Sequence, residues 1–368
     1  MLTFRYGHAA ASDWRQAARS CLAQLGDGAA NLGFLYVTDM LADHLGDILA
    51  LFEQHTDVPH WVGSVGVGIC ATSREYLDES AIAVMVGDFE PNSFRIFSGI
   101  ETEADVDGAL LKCGNAPPNF AIVHVDPYNR QVTQLVSRLA ERVESGFLVG
   151  GLTSSRRQNL QVADGIAEGG LSGVSFSDGV AVATRLTQGC SPIGPKHVVT
   201  ACQRNVVMSL DGRPALDVFR EDIGEALARD LNRVGGHIFA GLPIPGSDTG
   251  DYLVRNLVGI DPTNRLVAIG ELLDPGANVM FCRRDERTAH DDMTRMLESI
   301  RQGLFTTPRG GVYYSCLGRG ASLFGPDSEE LKMIREALGD IPLVGFFCNG
   351  EISHNRLYGY TGVLTLFV

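Results

Sequence analysis

The chain lacks the features of several common protein classes. None of its eight cysteines forms a Cys-x-x-Cys pair, and no apolar run approaches the roughly 20 residues that span a membrane. The sequence has no Walker lysine, no complete dinucleotide-binding glycine pattern, and no His, Cys, Asp or Glu grouping with metal-ligand spacing. We therefore expect reduced thiols, no metal, no cofactor and no membrane segment.

Positive charge is also scarce. Lys and Arg total 30 against 44 Asp and Glu, which gives a formal net charge of −14 over 368 residues. Such a field repels phosphate backbones, so nucleic acid is not an expected partner. The first 15 residues contain no apolar core of signal-peptide length, and we expect a cytoplasmic protein.

One pattern occurs three times: an apolar strand, an amphipathic helix and an apolar Val-Gly segment. The copies cover residues 31–63, 120–150 and 312–345, and the strands expected to follow them are 81–86, 179–184 and 362–367. Gly63, Gly150 and Gly345 are expected at equivalent helix-to-strand turns. The pattern predicts an α/β fold of repeated strand-helix-turn-strand units that form packed mixed sheets with outer helices.

A different pattern occupies residues 236–284. Four strands follow one another without helices, at 237–242, 252–258, 265–270 and 278–282, with a loop at 243–250 and helices at 214–232 and 287–302 on either side. This pattern predicts an antiparallel section. We expect a domain boundary close to its start, which divides the chain into residues 1–228 and 229–368.

The segment Gly318-Arg319-Gly320 follows a predicted strand, so backbone amides and one guanidinium could face a ligand there. The planar fork of Arg319 suits a carboxylate. The alternative is an internal ion pair of Arg319 with Glu329 or Glu330.

The segment Asn349-Gly350-Glu351 follows the third Val-Gly element and offers an amide, an unobstructed backbone donor and a carboxylate that could hold an ammonium. Together with residues 316–320 it is expected at one sheet edge. Arg319 and Glu351 would then complement a free amino acid. An ion pair between those two side chains without a ligand is the alternative.

The segment Gly189-Cys-Ser-Pro-Ile-Gly-Pro195 is a rigid turn that could hold Cys190 in a pocket, or a structural corner between sheets. Cys316 and Cys348 lie close in sequence to Glu351 and His354, which raises the possibility of a cysteine-dependent enzyme. A catalytic cysteine needs a base that a third group orients, and no such pair is visible in the sequence. We therefore favour a binding protein over an enzyme.

Several of these segments form a recognisable set. The chain resembles the FIST family in Gly146-Phe-Leu-Val-Gly-Gly-Leu-Thr-Ser154, Gly189-Cys-Ser-Pro-Ile-Gly-Pro195, Cys316-Leu-Gly-Arg-Gly320 and Val344-Gly-Phe-Phe-Cys-Asn-Gly-Glu-Ile352. The resemblance covers nearly the whole chain, and it implies an N-terminal and a C-terminal FIST domain.

The family resemblance also implies a function. FIST proteins are regarded as intracellular sensors of small ligands, with amino acids as the expected class. The ligand-binding residues expected here are Cys190, Gly150, Gly151, Cys316, Gly318, Arg319, Gly320, Asn349, Gly350 and Glu351. Some relatives carry fused signalling segments, which this sequence lacks, so signalling would need a separate partner protein. A cysteine-dependent enzyme using Cys316 and a pure interaction scaffold are the other two possibilities.

Overall fold

A computed structural model describes residues 3–244 and 252–368. The chain forms two compact units, Met1–Thr187 with Met293–Val368, and Gln188–Asp292. The expected division at residues 228 and 229 concerns the family's domains and stays a prediction. The expected loop at 243–250 falls largely outside the described residues.

The first unit contains three repeats of one arrangement. The first repeat consists of β1 (Phe4–Ala10), α1 (Trp14–Leu25), β2 (Leu32–Thr38), a 3-10 turn (Asp39–His44), α2 (Leu45–Thr56), β3 (His60–Gly66), β4 (Gly68–Ala71), β5 (Arg74–Leu77) and β6 (Ala81–Gly87). The apolar face of α1 is buried, and the Asp13 side chain accepts a hydrogen bond from the Arg15 amide at its start.

The second repeat has the same strands and helices in the same order, without the 3-10 turn. It consists of β7 (Phe94–Ile100), α3 (Glu103–Gly108), β8 (Phe120–Val125), α4 (Val132–Glu141), β9 (Phe147–Leu152), β10 (Gln161–Ala163), β11 (Ile166–Ala167) and β12 (Leu171–Phe176). Its short helix α3 begins with a reciprocal capping box between Thr102 and Asp105.

The third repeat begins with β13 (Val182–Gln188) and resumes after an insertion. The insertion contains β14 (Cys190–Pro192), β15 (His197–Gln203), β16 (Val206–Leu210), β17 (Arg213–Pro214), α5 (Ala215–Ala228), a 3-10 turn (Leu231–Arg233), β18 (Ile238–Pro243), β19 (Tyr252–Asp261), β20 (Leu266–Ile269) and β21 (Asn278–Arg284). The repeat then continues through α6 (Glu286–Gly303), β22 (Gly310–Cys316), α7 (Ala321–Phe324), α8 (Glu329–Leu338), β23 (Leu343–Cys348), β24 (Glu351–Ser353), β25 (Arg356–Tyr358) and β26 (Thr361–Phe367).

Each repeat builds one six-stranded sheet with the same strand order. The orders are β1-β6-β2-β3-β10-β11, β7-β12-β8-β9-β24-β25 and β13-β26-β22-β23-β4-β5. In each sheet the two strands joined by the long helix are parallel, and the last strand of the repeat is antiparallel to the first of them. The predicted α/β fold of repeated units with packed mixed sheets is confirmed.

The strand expected at 179–184 was assigned to the wrong repeat. The strand that completes the second repeat is β12, which pairs antiparallel with β8. Residues 179–184 overlap β13, the outer strand of the third sheet. Strand β12 was missed because it contains Ser172 and Ser175, which are buried and hydrogen-bonded inside the protein. A search for apolar runs does not identify such a strand.

The hairpin of each repeat joins the sheet of another repeat. The first hairpin, β4 and β5, pairs with β23; the second, β10 and β11, pairs with β3; the third, β24 and β25, pairs with β9. The exchange is cyclic, so no repeat has a complete sheet by itself. The sequence patterns did not predict these short hairpins.

The three sheets share a central core. Strands β2, β8 and β22 each place one polar aromatic side chain there at the same position of the repeat: Tyr36, His124 and Tyr314. The Tyr36 hydroxyl lies 3.1 Å from Nε2 of His124 and 2.9 Å from the Tyr314 hydroxyl. Burial lowers the pKa of His124 to about 3, so this imidazole is neutral.

Helices α1 and α2 cover the outer face of the first sheet, and α3 and α4 cover that of the second.

The three Val-Gly glycines are equivalent, but they lie within strands β3, β9 and β23 and not at turns as expected. A Cβ would come within 1.7 Å of the Leu35 carbonyl oxygen at Gly63, 1.8 Å of the Val123 oxygen at Gly150 and 1.7 Å of the Tyr313 oxygen at Gly345. The second strand of each repeat thus approaches the first so closely that only a hydrogen fits. Gly150 also has a φ of 145°, in the region that favours glycine.

The second unit is antiparallel, as the sequence predicts. Strand β18 pairs with β19 and β21, and β19 pairs with β20, all antiparallel. Helix α5 is kinked at Gly224, whose φ is 78°, and its buried face packs into this unit's own core. In this unit His197 lies between two aspartates. Its Nδ1 is 2.6 Å from Oδ2 of Asp211, and its Nε2 is 2.9 Å from Oδ2 of Asp222.

Candidate functional site

The two C-terminal segments chosen from the sequence meet at one sheet edge. Strands β22 and β23 are parallel and end together, with Cys316 opposite Cys348. The amide of Leu317 donates to the carbonyl oxygen of Cys348 at 3.0 Å, which holds the two outgoing loops side by side. Carboxyl ends of parallel strands are the usual place for a ligand in such sheets.

Arg319 lies inside this edge and not on its surface. Its Nε donates to Oε1 of Glu330 at 2.7 Å, and both side chains are fully buried. This is the internal ion pair that the sequence left open as an alternative. The ring of Phe324 lies 4.8 Å from the guanidinium carbon, and Nη2 contacts the Met293 sulfur at 4.0 Å. Within the described chain, Nη1 of Arg319 is buried without a hydrogen-bond acceptor.

Glu330 is fully coordinated by its surroundings. Besides Arg319 it accepts hydrogen bonds from the hydroxyls of Tyr313 at 2.5 Å and Ser315 at 3.2 Å, and from the amide of Gly320 at 2.9 Å. Because these donors come from β22 and from the Gly-Arg-Gly loop, Glu330 at the start of α8 fixes that loop to the sheet. A buried carboxylate with this many partners is structural.

A second carboxylate reaches the same loop from the first repeat. Glu75 on β5 accepts a hydrogen bond from the amide of Ala321 at 2.9 Å. Its Oε2 is buried and has no hydrogen-bond donor in the described part of the chain. Burial, and then the nearby charge of Glu330, raises the pKa of Glu75 to about 7.

The third carboxylate, Glu351, opens the hairpin strand β24 and is fully buried. Its Oε2 accepts hydrogen bonds from the amide of Thr361 at 3.1 Å and from the Thr361 hydroxyl at 2.8 Å. Its Oε1 is buried and has no nitrogen or oxygen donor among the described residues; the thiol of Cys316 is its polar neighbour. Burial raises the pKa of Glu351 to about 8, although Thr361 and the charge of Arg319 act in the opposite direction.

The repeats provide an internal comparison for Glu351. The equivalent residue of the second hairpin is Gln161, because Glu351 pairs next to Gly150 and Gln161 pairs next to Gly63. Gln161 fastens its hairpin through bonds with Gly170 and Ser172, as Glu351 does with Thr361. In the first hairpin the position is the apolar Ile69. The fold therefore does not require a charge here, and the carboxylate is particular to the third repeat.

The corresponding edges of the other two repeats are closed by internal contacts. In the first repeat, Asp39 is bound by the guanidinium of Arg156 through both oxygens at 2.8 Å. In the second, Asp126 accepts from the amides of Tyr128 at 2.8 Å and Gly169 at 3.1 Å. Only in the third repeat does a buried carboxylate oxygen at this edge lack such a donor within the described ranges.

Two residues at this edge were not found from the sequence: Tyr360 and Thr361. Tyr360 has a φ of 62°, which is unfavourable for a bulky side chain and costs about 1–3 kcal/mol. Its ring lies against Gly318, where a Cβ would be 3.0 Å from the ring. Tyr360, Gly318 and Cys316 are partly exposed, whereas Glu351 is fully buried. The feature that marks Tyr360 is its positive φ, and the sequence does not show φ.

The remaining predicted residues have varied positions. Asn349 is exposed, and its amide donates to the Leu152 carbonyl oxygen at 3.1 Å. Gly350 accepts from the Leu152 amide at 2.8 Å, and a Cβ at Gly151 would meet the Cys348 sulfur at 2.2 Å. Gly150 and Gly151 therefore lie beside the third hairpin, with Gly151 opposite Glu351.

Cys190 belongs to the second unit, where its carbonyl oxygen accepts from the Tyr252 hydroxyl at 2.6 Å.

The thiols at the edge are poorly suited to nucleophilic chemistry. Burial, and then the negative charge of Glu351, raises the pKa of Cys316 far above its usual range. The same causes raise the pKa of Cys348. A nucleophilic cysteine needs a lowered pKa or an adjacent base. The described residues also contain no cluster of three His, Cys, Asp or Glu side chains arranged for a metal ion.

Two protein-family models and several related proteins match this chain. The FIST N domain matches residues 31–213, and the FIST C domain matches residues 215–354. The chain belongs to the FIST family. An uncharacterized protein of Mycobacterium tuberculosis is 32% identical over 384 residues, which cover 98% of each chain. An uncharacterized protein of Mycobacterium bovis is 30% identical over 379 residues, covering 97% of this chain and 96% of the relative.

Membership places the protein in a broad functional class. FIST domains are generally thought to be small-ligand sensors in signalling. The two family domains cover all three repeats at least in part, because the FIST N match begins in the first repeat and the FIST C match ends just after β24 in the third. In the described part of this FIST protein, no helix is long and apolar enough to cross a membrane.

Proposed function

We propose that this FIST protein is a sensor of a small ligand that carries a protonated amine, and that the ligand binds at the edge of the third repeat. Amino acids and related amino-bearing metabolites form the class to be tested. The observation that carries the proposal is Glu351, a buried carboxylate with one oxygen that no nitrogen or oxygen donor satisfies in the described chain. The thiol of Cys316 beside this oxygen is only a weak donor, so the oxygen is poorly satisfied, and an ammonium would satisfy it.

The internal comparison strengthens this assignment. The second repeat fastens its hairpin with the neutral Gln161 at the position of Glu351. A carboxylate that is costly and that the fold does not need is typical of a binding site. Asn349, Gly318 and Tyr360, which are exposed or partly exposed at this edge, would surround the rest of the ligand.

Sensing would proceed by a shift between states of the loops at this edge. The loop at 317–320 is tied to Glu330 of α8 and Cys348 of β23, and the next residue, Ala321, is tied to Glu75 of the first hairpin. A ligand that binds one arrangement of these loops better than another shifts their populations only by its difference in affinity. A separate partner protein would then recognise the stabilised arrangement.

The test compares Glu351→Gln with the unchanged protein. Glutamine reproduces the hydrogen-bonding pattern of Gln161, so we expect the variant to fold, whereas it lacks the charge that holds an ammonium. A thermal-shift screen of amino-bearing metabolites identifies the ligand, since about 100 times its Kd adds roughly 2.7 kcal/mol of stability. Calorimetry should then show affinity reduced about tenfold to a hundredfold in the variant, as for a lost charged hydrogen bond.

The matched control is Glu336→Gln, which removes the same charge from an exposed position on α8. Its affinity should equal that of the unchanged protein. If Glu351→Gln binds as tightly as Glu336→Gln, the ligand does not use Glu351 and the proposed site is wrong.

A further inference from the structure

We infer that the ligand of this edge is a cationic amine without a carboxylate, held between Glu351 and the ring of Tyr360. The inference rests on the proposed function and decides what the other end of the ligand can be. It separates amines from amino acids, which carry the same ammonium but add a negative charge beside it.

Arg319 is poorly placed to receive a ligand's carboxylate. Its side chain has no exposed surface, and Glu330 takes the Nε–H at 2.7 Å. Phe324 covers the guanidinium, and the Met293 sulfur is 4.0 Å from Nη2. A bidentate carboxylate contact needs two adjacent N–H donors, and this enclosure leaves Nη1 as the donor without an acceptor in the described chain.

The charge of the edge also opposes a carboxylate. Three buried carboxylates, Glu75, Glu330 and Glu351, lie close enough to the loop at 317–320 to interact with it or with Arg319, which is the one guanidinium among them. Glu330 already balances Arg319, and burial raises the pKa of Glu75 to about 7 and that of Glu351 to about 8, so these two carboxyls are ready to ionise when a cation lies beside them. A cation gains from that ionisation, and the carboxylate of a zwitterion would oppose it.

Tyr360 supplies a second feature that suits a cation. Its backbone is held at a φ of 62°, against the preference of an aromatic residue, its ring lies beside Gly318, and the next residue, Thr361, binds Glu351. Strained residues of this kind persist where the surrounding structure fixes them and are frequent at binding sites. The face of a tyrosine ring attracts ammonium groups, and it adds to a carboxylate on the other side of the cation.

The experiment measures the full chain with matched pairs of amino acid and amine: ornithine with putrescine, arginine with agmatine, and tyrosine with tyramine. Each pair shares its side chain and differs by the carboxylate. Calorimetry at one pH and one ionic strength should show that at least one amine binds ten times more tightly than its amino acid. Sodium chloride at equal ionic strength gives the baseline for general effects of cations on an acidic protein.

Variants connect the binding to these two residues. Tyr360→Phe keeps the ring and should retain affinity within about threefold, whereas Tyr360→Leu should lose at least fivefold, because aliphatic groups lack the ring's attraction for cations. Glu351→Gln should lose at least tenfold, and Glu336→Gln should change nothing. Thermal melting of each variant confirms that it is folded.

The outcomes separate the two proposals. If compounds of these pairs bind but no amine binds ten times more tightly than its amino acid, this inference is overturned, while the proposed function stands. If no member of any pair and no compound of the thermal-shift screen binds, both are overturned. If amines bind Glu351→Gln or Tyr360→Leu as well as the unchanged protein, the binding occurs elsewhere on the acidic surface and the inference is equally wrong.

Discussion

Glu351, Gln161 and Ile69 occupy one position in three copies of the same hairpin. The comparison shows what a single residue can reveal in a repeated fold. Where the copies share a residue type, the architecture demands it; where one copy carries a buried charge that the others do without, the charge needs another explanation. Glu351 is such a departure, and the strained Tyr360 lies at the same edge of the third repeat.

The raised pKa of Glu351 leads to a prediction about stability. Its pKa is about 8 in the folded protein because of burial, against about 4.3 in an unfolded chain. The folded state therefore binds a proton more strongly, so this contribution to stability is complete below about pH 4.3 and is lost as the pH rises through 8. Arg319, Cys316 and Cys348 are the charged and titratable groups that interact with Glu351.

Glu351→Gln removes this proton linkage. Relative to the unchanged protein, the variant should gain free energy of unfolding between pH 6 and pH 9, by more than about 1 kcal/mol, since one pKa unit corresponds to about 1.4 kcal/mol. Urea unfolding at both pH values measures the difference. Glu336→Gln serves as the exposed control, and a difference that stays constant with pH would show that Glu351 is already ionised at pH 6.

Among the elements, the parallel strand pairs of the repeats depend on their glycines. A Cβ at Gly63, Gly150 or Gly345 would enter the backbone of the neighbouring strand at 1.7–1.8 Å. We expect each Gly→Ala change to lower the free energy of unfolding by more than about 2 kcal/mol, because backbone cannot move aside as a flexible side chain can. Chemical denaturation of the three variants measures this.

Gly46 is the matched control for these three glycines. It lies in α2, where an added Cβ would make only an ordinary contact, 3.9 Å from Ile166. Gly46→Ala should leave stability unchanged or raise it by up to about 1 kcal/mol. If the three strand variants have the same free energy of unfolding as Gly46→Ala, the close approach of the paired strands does not contribute to stability.

At the scale of the whole molecule, the two compact units differ in how they are built. The second unit, Gln188–Asp292, interrupts the third repeat and contains its own apolar core. The first repeat, by contrast, completes its sheet with β10 and β11 from the second repeat and gives its own hairpin to the third. One segment is self-contained, and the other depends on its neighbours.

We therefore predict that residues 188–292, produced alone, fold with a cooperative thermal transition. Residues 3–87, which contain the first repeat, should not, because they lack the strands that cover β3 and the shared central core. Circular dichroism melting and amide dispersion in NMR spectra measure both segments. A cooperative transition in the isolated repeat would contradict the cyclic exchange as a stabilising feature, and an unfolded 188–292 would contradict the independence of that unit.

The repeated α/β architecture, the antiparallel section and the family could all be predicted from the amino-acid sequence. Each of these is carried by local periodicity: apolar alternation, helical spacing and glycine motifs that lie within short stretches of chain. The meeting of 316–320 with 349–351 could also be predicted, because both segments follow parallel strands of one unit. Even the equivalence of Gly63, Gly150 and Gly345 was visible as a repeated Val-Gly pair.

How the repeats combine and which groups meet at the site became visible in the three-dimensional fold. The hairpins pair with other repeats, and β12 is a buried strand with serines, so neither followed from local patterns. The pairing of Arg319 with Glu330, the approach of Glu75 and the unsatisfied oxygen of Glu351 depend on side chains that are distant in sequence or enclosed by other elements. Local patterns determine which elements form, whereas long-range packing determines which polar groups are left without partners.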